Sequence, residues 1–171
     1  LIQMKDLGDD NFVHLDEVVR IDYAKPRPTQ LMQAGDIIFR SRGQTNTAAI
    51  MNKNIQNAMI AAPLLRIHPD VKRVNPAYLL WWINQSSSQH YFASQSKGTM
   101  VKMITKQGLE NLEISLPPLT QQTKIAELFR LSTQEQQLLD KLKALKKTCI
   151  QGVLMHAVKK SSATTTKRNR K

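Results

Sequence analysis

Residues 117–157 read PPLTQQTKIAELFRLSTQEQQLLDKLKALKKTCIQGVLMHA, and this stretch decides the architecture. Pro117 and Pro118 end whatever precedes them, because proline lacks the backbone donor that helix interiors and sheet ladders need. Neither Pro nor Gly recurs until Gly152. Thr120 stands just inside the prolines as the expected N-cap, with a hydroxyl that can accept from a free N–H of the first turn. Leu128, Leu131, Leu138, Leu142, Leu145 and Cys149 then fall at alternating three- and four-residue spacing, with Glu135 in the one polar position of the series. This is the seam of a coiled coil with a polar break. Ile125, Phe129, Leu139, Ile150, Val153 and Leu154 widen the seam into a stripe. The spacing predicts one helix within 117–158, about 35–40 residues and roughly 50–60 Å at 1.5 Å per residue. A domain of the size that precedes it has a radius of gyration near 13 Å, roughly. Such a helix overshoots its own domain and is expected to pair with another helix.

Working back from the prolines, the chain is β-rich. Gly35-Asp36 reads as a turn that launches Ile37-Ile38-Phe39, a buried strand. Further strands are expected over 2–4, 12–14, 48–51, 58–62 and 63–68, each bounded by polar, Pro or Gly residues. Asn75-Pro76 is a helix start, Asn as the cap and Pro at the first helical position. The helix continues through Tyr78-Leu79-Leu80-Trp81-Trp82-Ile83, apolar on nearly all sides and therefore core. A second short helix is expected over 89–95. An alternating strand over 99–106 follows, with Lys102 on its polar side, and a last strand over 109–116 runs to the prolines. The fold class is α+β: a mixed β-rich globular domain over 1–116, one long C-terminal coiled-coil helix over 117–158, and a disordered basic tail over 159–171.

Composition narrows the partners. Lys and Arg number 25 against 13 Asp and Glu, giving a net charge of +12. The tail KKSSATTTKRNRK carries six of the basic residues and no acid; without it the chain is still +6. Such a balance points first to nucleic acid and then to an anionic membrane surface. A single cysteine excludes an internal disulfide framework and fits a reducing compartment. The longest apolar run, AYLLWWI over 77–83, is far short of a membrane span. A cytoplasmic protein with no membrane partner is expected.

Catalytic chemistry is missing from the pattern. His14, His68, His90 and His156 are scattered without metal-ligand spacing, and one cysteine cannot complete a zinc site. There is no glycine-rich phosphate loop and no nucleophile elbow. Pro69-Asp70-Val71-Lys72 superficially resembles a nuclease site, but no second acid lies near it in sequence to share a divalent ion. Trp81 and Trp82 could stack on a base, yet on an apolar helix they read as core. No enzyme activity is expected, and a binding module is.

Three segments together resemble the specificity subunit of type I restriction-modification enzymes. The first is Gly35-Asp36-Ile37-Ile38-Phe39-Arg40-Ser41-Arg42-Gly43, similar to the strand and polar loop of that family's target recognition domains. The second runs from Lys97-Gly98 through Ile104 to Leu109-Glu110-Asn111-Leu112-Glu113-Ile114. The third is Leu116-Pro117-Pro118-Leu119-Thr120-Gln121-Gln122-Thr123-Lys124-Ile125, close to the motif that opens the family's conserved helix, with Gln121 where an acid is common. The resemblance implies sequence-specific recognition of double-stranded DNA, alongside modification (methyltransferase) and restriction subunits. S-adenosylmethionine, Mg2+ and ATP would bind those partners, so no cofactor is expected in this chain. Family members usually carry two recognition domains and two helices that pair antiparallel and set the distance between two half-sites. One domain and one helix look like half of such a subunit, in a half-length form that a homodimer through the long helix would complete.

DNA contacts are expected where side chains able to read bases lie on loops. Arg40 and Arg42 suit a guanine edge, and Gln44 and Asn46 suit adenine. Lys53, Lys97, Lys102 and Lys106 suit phosphates, which position without specifying sequence. The dimer helix would use Leu128, Leu131, Leu138, Leu142, Leu145 and Cys149. A different reading of the same residues is a non-enzymatic coiled-coil interaction protein whose basic tail meets nucleic acid or a membrane.

Overall fold

Strand β1 is Ile37–Arg40, and its sequence explains its central place. Successive side chains of a strand point to opposite faces, so a strand covered on both sides reads as an unbroken apolar run. Ile37, Ile38 and Phe39 are all fully buried, and they enter two cores. Ile38 packs with Ile2, Leu7, Val13, Met32 and Leu64 on one face. Ile37 and Phe39 pack with Leu79, Leu80, Ile83, Phe92 and Ile104 on the other. Burying one such side chain contributes roughly 1.5–3 kcal/mol, which makes β1 the strand the domain is built on. β2 (Ala48–Ile50) and β3 (Leu64–Ile67) flank it in an antiparallel sheet of order β2-β1-β3, with Ile38 opposite both Ala49 and Arg66. A computed structural model describes residues 1–23, 26–43, 45–95 and 103–168, with side chains to residue 157.

Two helices cover the Phe39 face. α1 is Pro76–Ile83, capped as its sequence predicts: Asn75 Oδ1 accepts from the N–H groups of Ala77 (2.9 Å) and Tyr78 (3.3 Å). α2 is Ser86–Gln95 and includes the serines read as a break. It seats Phe92 against Phe39, ring centroids 4.9 Å apart. Asn84, between the helices, bonds both backbone groups of Ala48 (2.8 and 3.0 Å) and so occupies part of the free edge of β2.

Several expected strands take other forms. Residues 2–4 and 12–14 make only isolated bridges, Ile2 to Ile60, Leu7 to Val13 and Phe12 to Ile50, and Met4–Asp6 coils into a 3-10 turn held by the Asp6 carboxylate on Gln3 N (2.7 Å). Within 58–62, only Ile60 pairs. Residues 99–102 lie outside those described; Met103 bridges Arg42, and Ile104 N donates to Ser41 O at 2.7 Å. The expected strand over 109–116 is replaced by α3 (Lys106–Glu110), capped by Thr105 Oγ1 on Gly108 N (3.0 Å). An extended run follows it and joins no sheet. Its alternation is real, since Leu112 and Ile114 pack on the core. Its carbonyls, however, are taken by side chains of α1 instead of by a strand.

α4 is Leu119–Arg168, a helix of 50 residues. It starts one residue before Thr120, with Pro118 O accepting from Gln121 N and Gln122 N at 2.9 and 3.0 Å. It passes through Gly152, where nothing crowds the backbone, and beyond the expected end at 158. The segment assigned to a disordered tail from 159 is thus helical as far as Arg168. The chain divides into two units, Leu1–Phe129 and Arg130–Lys171, so the first turns of α4 belong with the domain and not with the rest of the helix. The architecture is α+β with a long C-terminal helix.

Candidate functional site

The loop after β1 carries four of the residues chosen for DNA, and the fold divides them. Arg40 ends β1 with its guanidinium turned into the protein. It donates to Leu7 O, to Met4 O (3.4 Å) and to Thr47 Oγ1 (3.4 Å). It ties the N-terminal turn to the sheet, and a side chain held this way is not free to read a base. Asn46 is buried too; its Nδ2 donates to Arg40 O at 3.0 Å, and its own carbonyl accepts from Gln89 Nε2 at 3.0 Å. In this arrangement both side chains hold the domain's own loops together.

Arg42 differs. It is exposed, and among the described residues its side chain has no hydrogen-bond or ion-pair partner. Its backbone is nonetheless fixed. Ser41 is buried with its Oγ on Pro63 O, and Arg42 bridges Met103. Gly43 follows at φ +139°, a conformation L side chains rarely adopt, which makes glycine the fitting residue for this turn. The result is a cation on a short loop whose two ends are anchored. Gln44 lies outside the described residues, as do Lys97 and Lys102.

The bridge to Met103 brings the segment leading to Lys106 beside the Arg42 loop, although 60 residues lie between Arg42 and Met103 in sequence. Lys106 is exposed at the start of α3 and pairs with Glu110 at 3.4 Å, an exposed contact of little energetic weight that phosphate can replace. Lys53 is exposed on a turn and shares a small cleft with Asp10, His14 and Asp16. Those acids make its surroundings less attractive to phosphate than those of Arg42.

The Gly-Asp pair before β1 is structural. Gly35 takes φ +89°, and the fully buried Asp36 carboxylate accepts from Gln33 N (2.7 Å) and bonds His68 Nδ1 (2.7 Å). Arg66 Nε lies 2.8 Å from Oδ2, the oxygen that accepts from Gln33 N, as an ion pair, with the N–H not aimed along a hydrogen bond. This network fastens the turn to β3. Trp81 and Trp82 are half-buried and cluster with Tyr78, and Trp82 Nε1 donates to Glu113 O at 3.2 Å, so they brace the domain.

Sequence reasoning missed Gln122. It is polar, 1 % exposed, and lies in the first turns of α4. Its Oε1 accepts from Asn75 N (2.8 Å), and its Nε2 donates to Arg73 O (3.1 Å) and Pro117 O (2.8 Å). Thr123 adds a weaker contact from Asn75 Nδ2 at 3.5 Å, and Ala126 is buried one turn on. Tyr78 OH donates to Ser115 O at 2.6 Å, and burial raises that hydroxyl above the usual 10.0, so it stays protonated as a donor. The signal was present in the motif, as the Gln four residues after Pro118, but nothing local says where its amide points.

Beyond Phe129 the helix is exposed along most of its length. Leu128, Leu131, Leu138, Leu142, Leu145 and Cys149 all lie open on the single chain, as do Leu139, Ile150, Val153 and Leu154. Among the described residues no group of three His, Cys, Asp or Glu side chains is placed to hold a metal ion, and no helix is long and apolar enough to cross a membrane. No individually curated protein matches the chain. The family model of the type I restriction modification DNA specificity domain matches residues 8–146, which takes in the sheet, the Arg42 loop and most of the leucine series, and the chain belongs to that family.

Proposed function

We propose that this chain reads one half of a bipartite DNA site and pairs through α4 with a second copy, which reads the other half. The observation that carries the reading is the leucine series. Leu128, Leu131, Leu138, Leu142 and Leu145 keep heptad spacing and all remain exposed on one chain. An apolar seam of that length on a surface otherwise rich in Gln, Glu and Lys calls for a helical partner. Charge favours an antiparallel partner. Lys141, Lys143, Lys146 and Lys147 crowd the second half of the series against Asp140 alone, whereas Arg130 and Glu135 balance in the first half. An antiparallel pair sets the basic stretch of one copy against the charge-balanced stretch of the other; a parallel pair sets lysine against lysine. An isologous contact of this kind has two-fold symmetry, and so would its target.

Within each copy, Arg42 is the base reader, supported by Gln44. Lys53, Lys97, Lys102 and Lys106 contact phosphates. Modification subunits dock on the assembled pair and bring S-adenosylmethionine, while restriction subunits bring ATP and Mg2+. The test is selection from a pool of random duplexes, with and without the modification subunit. The expected product is one enriched sequence present as two inverted half-sites at fixed separation. An asymmetric enriched site refutes the homodimer, and a pool with no enriched sequence in either condition refutes specificity.

A further inference from the structure

We propose that Gln122 is a positioning residue for DNA recognition: by locking the first turns of α4 to the start of α1, it fixes the separation between half-sites that the pair accepts. The inference rests on the two-copy reading above.

The contact is unusually complete for a side-chain amide. Gln122 is buried, and its amide orientation is fixed by its partners, since Asn75 N–H can only donate and the carbonyls of Arg73 and Pro117 can only accept. Its partners come from both sides of the joint. Pro117 belongs to the segment that leads into α4, while Arg73 and Asn75 belong to the turn that starts α1. Asn75 serves both elements: its Oδ1 caps α1, its N–H holds Gln122 and its Nδ2 reaches Thr123. Farther along α1, Tyr78 OH holds Ser115 O and Trp82 Nε1 holds Glu113 O. α1 in turn packs Leu79, Leu80 and Ile83 against the Phe39 face of the sheet whose β1 leads into the Arg42 loop. An unbroken set of packed elements thus runs from the base-reading loop to the first turns of α4.

A tether of prolines and an extended run would leave the two free to swivel. One base pair of spacer shifts a half-site by about 3.4 Å and turns it by about 34–36° around the duplex axis. Only a stiff joint converts such a step into lost binding, because a loose one absorbs it without deforming the DNA. The buried amide supplies the stiffness. A merely structural role would lower stability and leave the spacing preference unchanged.

The experiment uses the full chain and a set of duplexes bearing the selected half-sites with the native spacer and with spacers one base pair longer and shorter. A duplex with a single half-site is the control. Gln122→Met keeps volume and removes all three hydrogen bonds. For the unaltered chain, a spacer change of one base pair should weaken binding about tenfold or more. For the variant that ratio should fall to about twofold or less, with affinity for the single half-site within about twofold of the unaltered chain's. Tyr78→Phe, which removes only the bond to Ser115, should lower the ratio in the same direction and carries the test if Gln122→Met does not fold. An equally sharp preference in the folded variants overturns the inference and leaves the two-copy reading intact. Indifference of the unaltered chain to spacer length overturns the two-copy reading and this inference with it.

Discussion

Truncating the seam at Leu138 and Leu142 gives the sharpest quantitative expectation. On one chain Leu138 is 66 % exposed and Leu142 48 % exposed. Leu→Ala removes three carbons, about 2.4 kcal/mol at roughly 0.8 kcal/mol per buried group. Scaled to the surface still open, the loss is about 1.2–1.6 kcal/mol per residue. Two residues in each of two copies bring it to about 5 kcal/mol, or a dissociation constant raised roughly a thousandfold or more at 1.4 kcal/mol per decade. Alanine is the strongest helix former, so the helix itself should persist. Sedimentation equilibrium over a concentration series measures the constant, and far-UV circular dichroism checks that helix content is kept. A double variant that self-associates as tightly as the unaltered chain refutes the seam.

Other perturbations separate the roles assigned above. Arg42→Ala should cost about 1–3 kcal/mol of discrimination at one base pair, read as a relaxed position in a repeated selection. Lys106→Ala should instead weaken all duplexes alike and flatten the slope of log K against log salt by about 0.9. Asp36→Asn leaves Arg66 without its buried counter-charge and should destabilise the domain by about 3–5 kcal/mol, seen as a lower midpoint in urea. Tyr78 has a folded pKa above its unfolded value, so its contribution is complete below about pH 10 and is lost as pH rises through the folded value. Tyr78→Phe should therefore be less stable at neutral pH and lose stability less steeply above pH 10, measured by thermal melts across that range.

The parts of the fold that local chemistry decides were legible in the residues. Ile37-Ile38-Phe39 is a buried strand because the run is apolar and bounded by a glycine turn, and Asn75-Pro76 caps a helix because the cap and the fixed φ belong to those residue types. The long helix follows from an uninterrupted seam, although its far end did not, since Gly152 and the basic tail are tolerated within it. The extended run after α3 misled for a physical reason: alternation reports burial on one side, whereas a strand also needs a ladder partner, and here Tyr78 and Trp82 supply the donors. Arg40 and Arg42 are indistinguishable by type and two residues apart. Only the approach of Leu7 and Met4, from the other end of the domain, turns one inward and leaves the other on the surface. Gln122 stands in the motif, but two of its three partners, Asn75 and Arg73, lie 47 and 49 residues upstream, beyond the reach of any local rule.

The central claim is that one site takes two copies of this chain. Native mass spectrometry of the chain with a duplex carrying the complete selected site counts them directly, each copy adding 19.5 kDa. Two copies on one duplex, at protein concentrations where a single half-site also recruits a pair, is the predicted result. One copy occupying the complete site would contradict it.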